Sequence, residues 1–311
     1  MQIHNAAPES DPGQTVSLVL GSGGARGLAH IGIIQYLREN NYNIRSVSGS
    51  SMGAVVGGIF AAGQLDAYTE WVTALSRADV LLLLDFSFSR AGLFKGERII
   101  ELLKDLIGEC NIEDLPISFT AVATDVIAGK EVWLNRGSLF DAIRASFAIP
   151  TFFTPQDYGG RKLLDGGLVN PVPIAPTFQD MTDITIAVNL NGSPGAPSMF
   201  SAEDRQSANV QENNYKRRIK KFVEDLTRRK HEKEDDLGFF EVIHHTLETM
   251  QSTISRMKLA AYSPDVLIEI PKNACGPFEF YRAAEMIALG RKMAGQALAA
   301  IDPPKSPDTV A

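Results

Sequence analysis

The sequence predicts an α/β fold, a mainly parallel sheet with helices on both faces. Two observations carry this. A strand, tight loop and helix unit is used twice within about sixty residues. Beyond it, β-rich runs alternate with segments of helical spacing, which favours crossover connections and parallel pairing.

Val16 to Leu20 is a short β-rich run that ends in Gly21-Ser22-Gly23-Gly24, and Ala25 to Arg38 then carries Leu28, Ile31, Ile34 and Leu37 at helical spacing. The unit repeats as a strand over Ile44 to Ser48, a turn at Gly49-Ser50-Ser51-Met52-Gly53, and a small-residue helix over Ala54 to Ala62. Helices are predicted at Leu65 to Ser76 and Gly96 to Ile107, strands at Ser118 to Thr124 and Glu131 to Leu134, and a helix near Ser138 to Ser146. Thr185 to Leu190 and Asp265 to Ile270 read as later strands, and an Ala-rich helix from about Glu279 to Ile301 closes the domain. Between Asn191 and Asn214 the composition shifts to Gly, Pro, Ser, Asn and Gln, the mark of a long loop. Two helical patterns follow. Lys216 to Lys230 has an apolar stripe of Ile219, Phe222, Val223 and Leu226 edged with basic residues, which suits either a surface helix or peripheral contact with anionic lipid. Phe239 to Ala261 carries Ile243, Leu247, Met250, Ile254 and Met257, a stripe open to use as core, lid or homodimer surface. The expected organisation is one domain over 16–301, a lid or surface segment at 215–261 within it, and flexible tails at 1–15 and 302–311.

Composition narrows the function. With 44% hydrophobic residues the chain can bury a substantial core, and a formal charge of −7 argues against wholesale neutralisation of nucleic-acid phosphates. Cys110 and Cys275 are far apart and lack metal-ligand spacing, so no disulfide framework or zinc site is expected. The five histidines are not spaced with acids or thiols as ligands, and no acid-rich calcium loop is visible, so no metal or organic cofactor is expected. Met1 to Thr15 lacks a basic start and an apolar stretch, and no apolar run approaches the roughly 20 residues of a bilayer span. A cytoplasmic protein with peripheral membrane contact at most is the expectation.

The chemistry concentrates in three places. Gly49-Ser50-Ser51-Met52-Gly53 fits a nucleophile elbow, where Gly49 and Gly53 permit the close approach that pushes the Ser51 hydroxyl out of a strand-to-helix turn. A serine hydroxyl needs a base and donors for the developing oxyanion. The loop from Gly21 to Gly27 opens a helix with unobstructed N–H groups, and Gly23, Gly24 and Ala25 are the candidate donors, with Arg26 bracing the loop or meeting an anionic head group. A dinucleotide turn is the competing reading, but Arg26 stands where its third glycine belongs and the second strand leads to no ribose-binding acid. The third place is Leu163-Leu164-Asp165-Gly166-Gly167, an acid at the exit of an apolar run followed by two glycines, for which a plain turn is the alternative.

Together, the glycine loop with Arg26, the elbow at Ser51, the stretch Ala145 to Pro150, and Asp165-Gly166-Gly167 with Asn170 and Pro173 resemble the patatin-like phospholipases, bacterial members of the RssA type among them. The resemblance implies a three-layer α/β/α fold of the FabD/lysophospholipase-like kind and acyl hydrolysis by a Ser–Asp dyad. Ser51 would be the nucleophile, Asp165 the base and Gly23, Gly24 and Ala25 the oxyanion hole, supported by Arg26, Gly27, Gly49, Gly53, Gly166, Gly167 and Asn170. Ser22 departs from the pattern, standing where many members have a glycine. Two other readings compete. A low-turnover regulatory or scaffolding protein would keep the fold without the chemistry. A Ser–His–Asp triad would recruit His244 or His245, but an elbow after only the second strand argues against that fold. His30 reads as a packing or supporting residue.

Overall fold

The computed structural model describes residues 13–83, 92–195 and 239–300. The expected tails at 1–15 and 302–311 lie outside these residues except for 13–15. So do most of the 191–214 loop, Lys216 to Lys230, and the first part of the 215–261 segment.

The strands are β1 (Thr15–Leu20), β2 (Asn43–Ser50), β3 (Gly92–Phe94), β4 (Ser118–Asp125), β5 (Lys130–Leu134), β6 (Thr151–Phe153), β7 (Gln156–Tyr158), β8 (Arg161–Asp165), β9 (Ile184–Gly192) and β10 (Val266–Pro271). The helices are α1 (Ala29–Glu39), α2 (Met52–Ala61), α3 (Leu65–Thr73), α4 (Arg77–Leu82), α5 (Glu97–Ile107), α6 (Leu139–Ser146), α7 (Phe239–Ala261) and α8 (Ala283–Ala299). One sheet runs in the order β10-β9-β1-β2-β4-β8-β7, with β5 also paired to β4, while β3 and β6 form a separate pair. Its centre, from β10 through β4, is parallel, and β5, β7 and β8 are antiparallel. The expected mainly parallel sheet is present.

Alternation along the central strands shows why two helical layers are needed. Val16, Leu18 and Leu20 of β1, with Ile186, Val188 and Leu190 of β9, enter the large core beneath α1, α2 and α8. Val19 and Ala187 point the other way, onto Val172, Ile174 and, from α7, Leu259. Each fully buried side chain of the larger kind contributes roughly 1.5–3 kcal/mol, so both faces favour cover. On the larger face α1 and α8 meet through glycines. A Cβ at Gly32 would lie 1.9 Å from the Ile287 carbonyl oxygen, and one at Gly290 would lie 2.0 Å from that of Ala29.

Several boundaries differ from expectation. The segment read as one helix from Ala25 begins as a 3-10 turn over Gly24–Leu28 before α1. The predicted Leu65 to Ser76 helix ends at Thr73, and α4 starts afresh because Ser76 caps it. Its Oγ accepts from the Asp79 N–H at 3.3 Å and the Asp79 carboxylate accepts from the Ser76 N–H at 2.9 Å. The stripe along α7 faces inward only in part, for Ile243, Leu247 and Ile254 are half-buried while Met250 and Met257 are exposed. Ser255 is fully buried, Leu259 packs on the smaller core, and Glu248 and Lys258 form ion pairs with Arg26 and Glu131.

Candidate active site

The turn between β2 and α2 holds Ser51 at φ 56° and ψ −122°, a positive φ that a non-glycine residue adopts only when its surroundings impose it. The surroundings do so from three sides. A Cβ at Gly53 would come within 2.0 Å of the Leu20 carbonyl oxygen, so α2 lies directly against the end of β1. The Ser51 N–H donates to Ser146 Oγ at 3.0 Å, and that hydroxyl donates in turn to the Val122 carbonyl at 2.6 Å, tying the turn to α6 and β4. The Ser51 hydroxyl donates to Asp165 Oδ2 at 2.5 Å.

Asp165 ends β8 and is fixed through its backbone and its side chain. Its N–H donates to the Ala148 carbonyl at 2.9 Å, and its carbonyl accepts from Thr124 Oγ1 at 2.8 Å. Its other carboxylate oxygen, Oδ1, accepts from the Gly167 N–H at 2.7 Å. Ser51 and Asp165 are 3% and 2% exposed, so neither carboxylate nor hydroxyl has bulk water to solvate it. Burial pushes the Asp165 carboxyl up to about 6, against the lowering effect of the bonds from Ser51 and Gly167. An aspartate so placed is a stronger base than usual yet still ionised at neutral pH.

The glycine loop stands at the end of β1. The Gly21 N–H donates to the Val188 carbonyl, and the Ser22 N–H donates to the Pro171 carbonyl at 2.8 Å. Ala25 departs from expectation, since its N–H is spent on the Pro277 carbonyl at 2.9 Å. Among the described residues the amides of Gly23 and Gly24 carry no such bond, and Gly24, at φ 57°, borders the same cavity as Ser51. Arg26 is buried and turned away from that cavity. It donates to the Lys272 carbonyl at 3.0 Å and pairs with Glu248 of α7 at 3.2 Å, so it braces the loop. His30 Nε2–H donates to the Gly21 carbonyl at 2.9 Å, and burial pushes the imidazole down to about 4, keeping it neutral. Asn170, fully buried, donates from Nδ2 to Glu131 at 2.7 Å and so ties the segment that follows Asp165 to β5.

His245 is mostly exposed and lies 3.6 Å from Glu248, and the His244 side chain is outside the described residues. The carboxylate of Asp165 meets Ser51 with no imidazole between them.

Ser51 opens onto a cavity of about 680 Å³, within the range that encloses a sizeable organic ligand. Its walls are mostly apolar, from Val72 of α3 and Leu103 of α5 to Phe147 and Phe153. Residues 277–281 complete it; the sequence reading began the last helix at about Glu279, whereas a 3-10 turn over Phe280–Arg282 precedes α8.

A parallel α/β sheet with a strained serine at a strand-to-helix turn, hydrogen-bonded to a buried aspartate, defines a hydrolase architecture. The family model described as patatin-like phospholipase matches residues 18–178, and the chain belongs to that family. An uncharacterized NTE family protein of Mycobacterium tuberculosis is 41% identical over 92% of this chain and 92% of its own length. A patatin-like phospholipase domain-containing protein of Caenorhabditis elegans is 37% identical over 52% of this chain and 12% of its own length, and neuropathy target esterase sws of Drosophila virilis is 34% identical over 52% and 11%. The resemblance read from the motifs therefore holds, and lipid hydrolysis is the activity the family supports. Among the described residues no helix is long and apolar enough to cross a membrane.

Proposed function

We propose that this chain cleaves fatty acyl esters of lipids through a Ser51–Asp165 dyad and an acyl-enzyme. The observation that carries the reading is the 2.5 Å hydrogen bond from the Ser51 hydroxyl to the Asp165 carboxylate at the edge of an apolar cavity. Ser51 Oγ attacks the ester carbonyl carbon while its proton passes to Asp165 Oδ2. The oxyanion is held by the amides of Gly24 and Gly23, at the start of the 3-10 turn, where partial positive charge collects. Collapse expels the alcohol, which takes the proton from Asp165. Water then gives a proton to the same carboxylate, attacks the acyl carbon and releases the fatty acid as Ser51 recovers its hydrogen. The apolar walls leave room for a long acyl chain.

The test is covalent labelling by a fluorophosphonate together with hydrolysis of an acyl ester. Wild type should label and turn over; Ser51→Ala should do neither, and Asp165→Asn should lose at least ~100-fold in rate, the scale of general-base catalysis. Because Asp165 works only when ionised, the rate should rise with pH through about 6 and level off above it. Full labelling of Ser51→Ala, or a rate that is flat from pH 5 to 8, contradicts the proposal.

A further inference from the structure

The cavity has an outer wall and a deep one. Val72 and Leu103 are buried at its base, whereas α4 has no buried residue and presents Leu81 to solvent. Arg77, the first residue of α4, also lines the cavity. Its guanidinium carbon lies 4.3 Å from the centroid of the Tyr281 ring, a cation–π contact, and among the described residues the guanidinium makes no hydrogen bond.

Other polar groups on this wall are already engaged. Glu279 accepts from the Gly276 N–H and from Arg282 on Oε2, both at 2.8 Å, and from the Tyr281 hydroxyl on Oε1 at 2.8 Å. Burial pushes the Glu279 carboxyl up, but these three bonds outweigh it and hold the group below the usual range. Asp79, the acid nearest Arg77 in sequence, is spent on the cap of α4. Among the described residues Arg77 forms no ion pair, and the carboxylate that shares the cavity wall, Glu279, is engaged by Gly276, Tyr281 and Arg282, so the cation faces a mostly apolar cavity without a direct partner.

We infer that Arg77, held by Tyr281, is a specificity-determining residue that binds the phosphate of a lipid substrate while the acyl ester lies at Ser51. The inference rests on reading the cavity as the acyl-ester site. A phosphate satisfies the cation through charge-assisted, bidentate bonds that water cannot match at a partly desolvated site, and a neutral glyceride offers nothing equivalent. Selection then arises as a difference between two lipids of equal chain length, not as a general gain in lipid affinity.

The experiment compares a lysophospholipid and a monoacylglycerol with the same acyl chain, both below their critical micelle concentrations. Hydrolysis is measured for wild type, Arg77→Met and Arg77→Lys. Arg77→Met keeps the apolar stem and should lower kcat/KM at least tenfold on the lysophospholipid, mainly through KM, with less than a twofold change on the monoacylglycerol. Arg77→Lys keeps the charge without the fork and should fall between. Equal losses on both lipids, or none on either, overturn the inference while leaving the hydrolase reading intact. Binding of the same two lipids is measured in the Ser51→Ala background with and without Arg77→Met, which keeps the inference testable where turnover is absent. Only the lysophospholipid should weaken, by about the same factor. Full competition by inorganic phosphate at matched ionic strength would overturn the assignment to a lipid head group.

Discussion

Asp165→Asn separates the energetic cost of the site from its chemistry. The carboxyl stands at about 6 in the folded chain against an ordinary 3.8, a rise of roughly two units, each worth ~1.4 kcal/mol. Below pH 4 both the folded and the unfolded chain hold the proton, and the group costs the fold nothing. Between the two values the unfolded chain releases its proton while the folded chain retains it, so stability falls as pH rises; above about 6 the full difference of ~3 kcal/mol has been lost. An asparagine never ionises. Its side-chain oxygen can still accept from the Gly167 N–H, and its amide can donate to Ser51 Oγ, at the loss of about one hydrogen bond, ~1 kcal/mol. The variant should therefore be slightly less stable than wild type at pH 4 and ~2 kcal/mol more stable at pH 7.5, while catalysis collapses. Urea unfolding of both proteins across that range gives the difference directly, since the other acids titrate alike in each. A stability difference constant within about 1 kcal/mol from pH 4 to 7.5 would refute the view that burial alone raises this carboxyl.

Two further outcomes follow from packing. Gly290→Ala drives a methyl to 2.0 Å from the Ala29 carbonyl oxygen, so α1 and α8 must separate, and a loss of about 2 kcal/mol or more with a lowered Tm is expected in thermal unfolding. Arg26→Met removes the brace to Lys272 and Glu248 while keeping much of the side chain's volume. Because Glu248 is partly exposed, the expected cost is about 1–2 kcal/mol in urea unfolding, below that of a fully buried pair, with slower fluorophosphonate labelling as the glycine loop loosens.

The parts of this architecture legible in the sequence are those encoded locally. Strand, glycine turn and helix follow one another within a few residues at Leu20 to Leu28 and again at Ser48 to Ala54, so their order and the place of Ser51 at the turn could be read directly. Asp165 was legible because its two glycines mark a strand exit. What could not be read depends on remote neighbours. Ala25 looked like a donor until Pro277, some 250 positions later, took its N–H. The use of the α7 stripe stayed open because hydrophobic spacing says nothing of what lies beneath, and here the helix meets both an apolar patch at Leu259 and the charged partners Arg26 and Glu131. The division of α3 from α4 did leave a trace, for Ser76 followed three residues later by Asp79 is a cap, outweighed in the reading by the apolar spacing that runs up to it. The stack of Arg77 on Tyr281 left none, since neither residue belongs to a pattern.

The strand that carries the glycine loop lies between β2, its near neighbour in the chain, and β9, which is translated long afterwards. Until β9 emerges from the ribosome, β1 has one bare edge, the amide of Gly21 lacks its acceptor Val188, and the peptide that forms the far wall does not yet exist. A nascent chain that already contains the serine and the aspartate therefore lacks part of the cavity wall until residues 277–281 have been made.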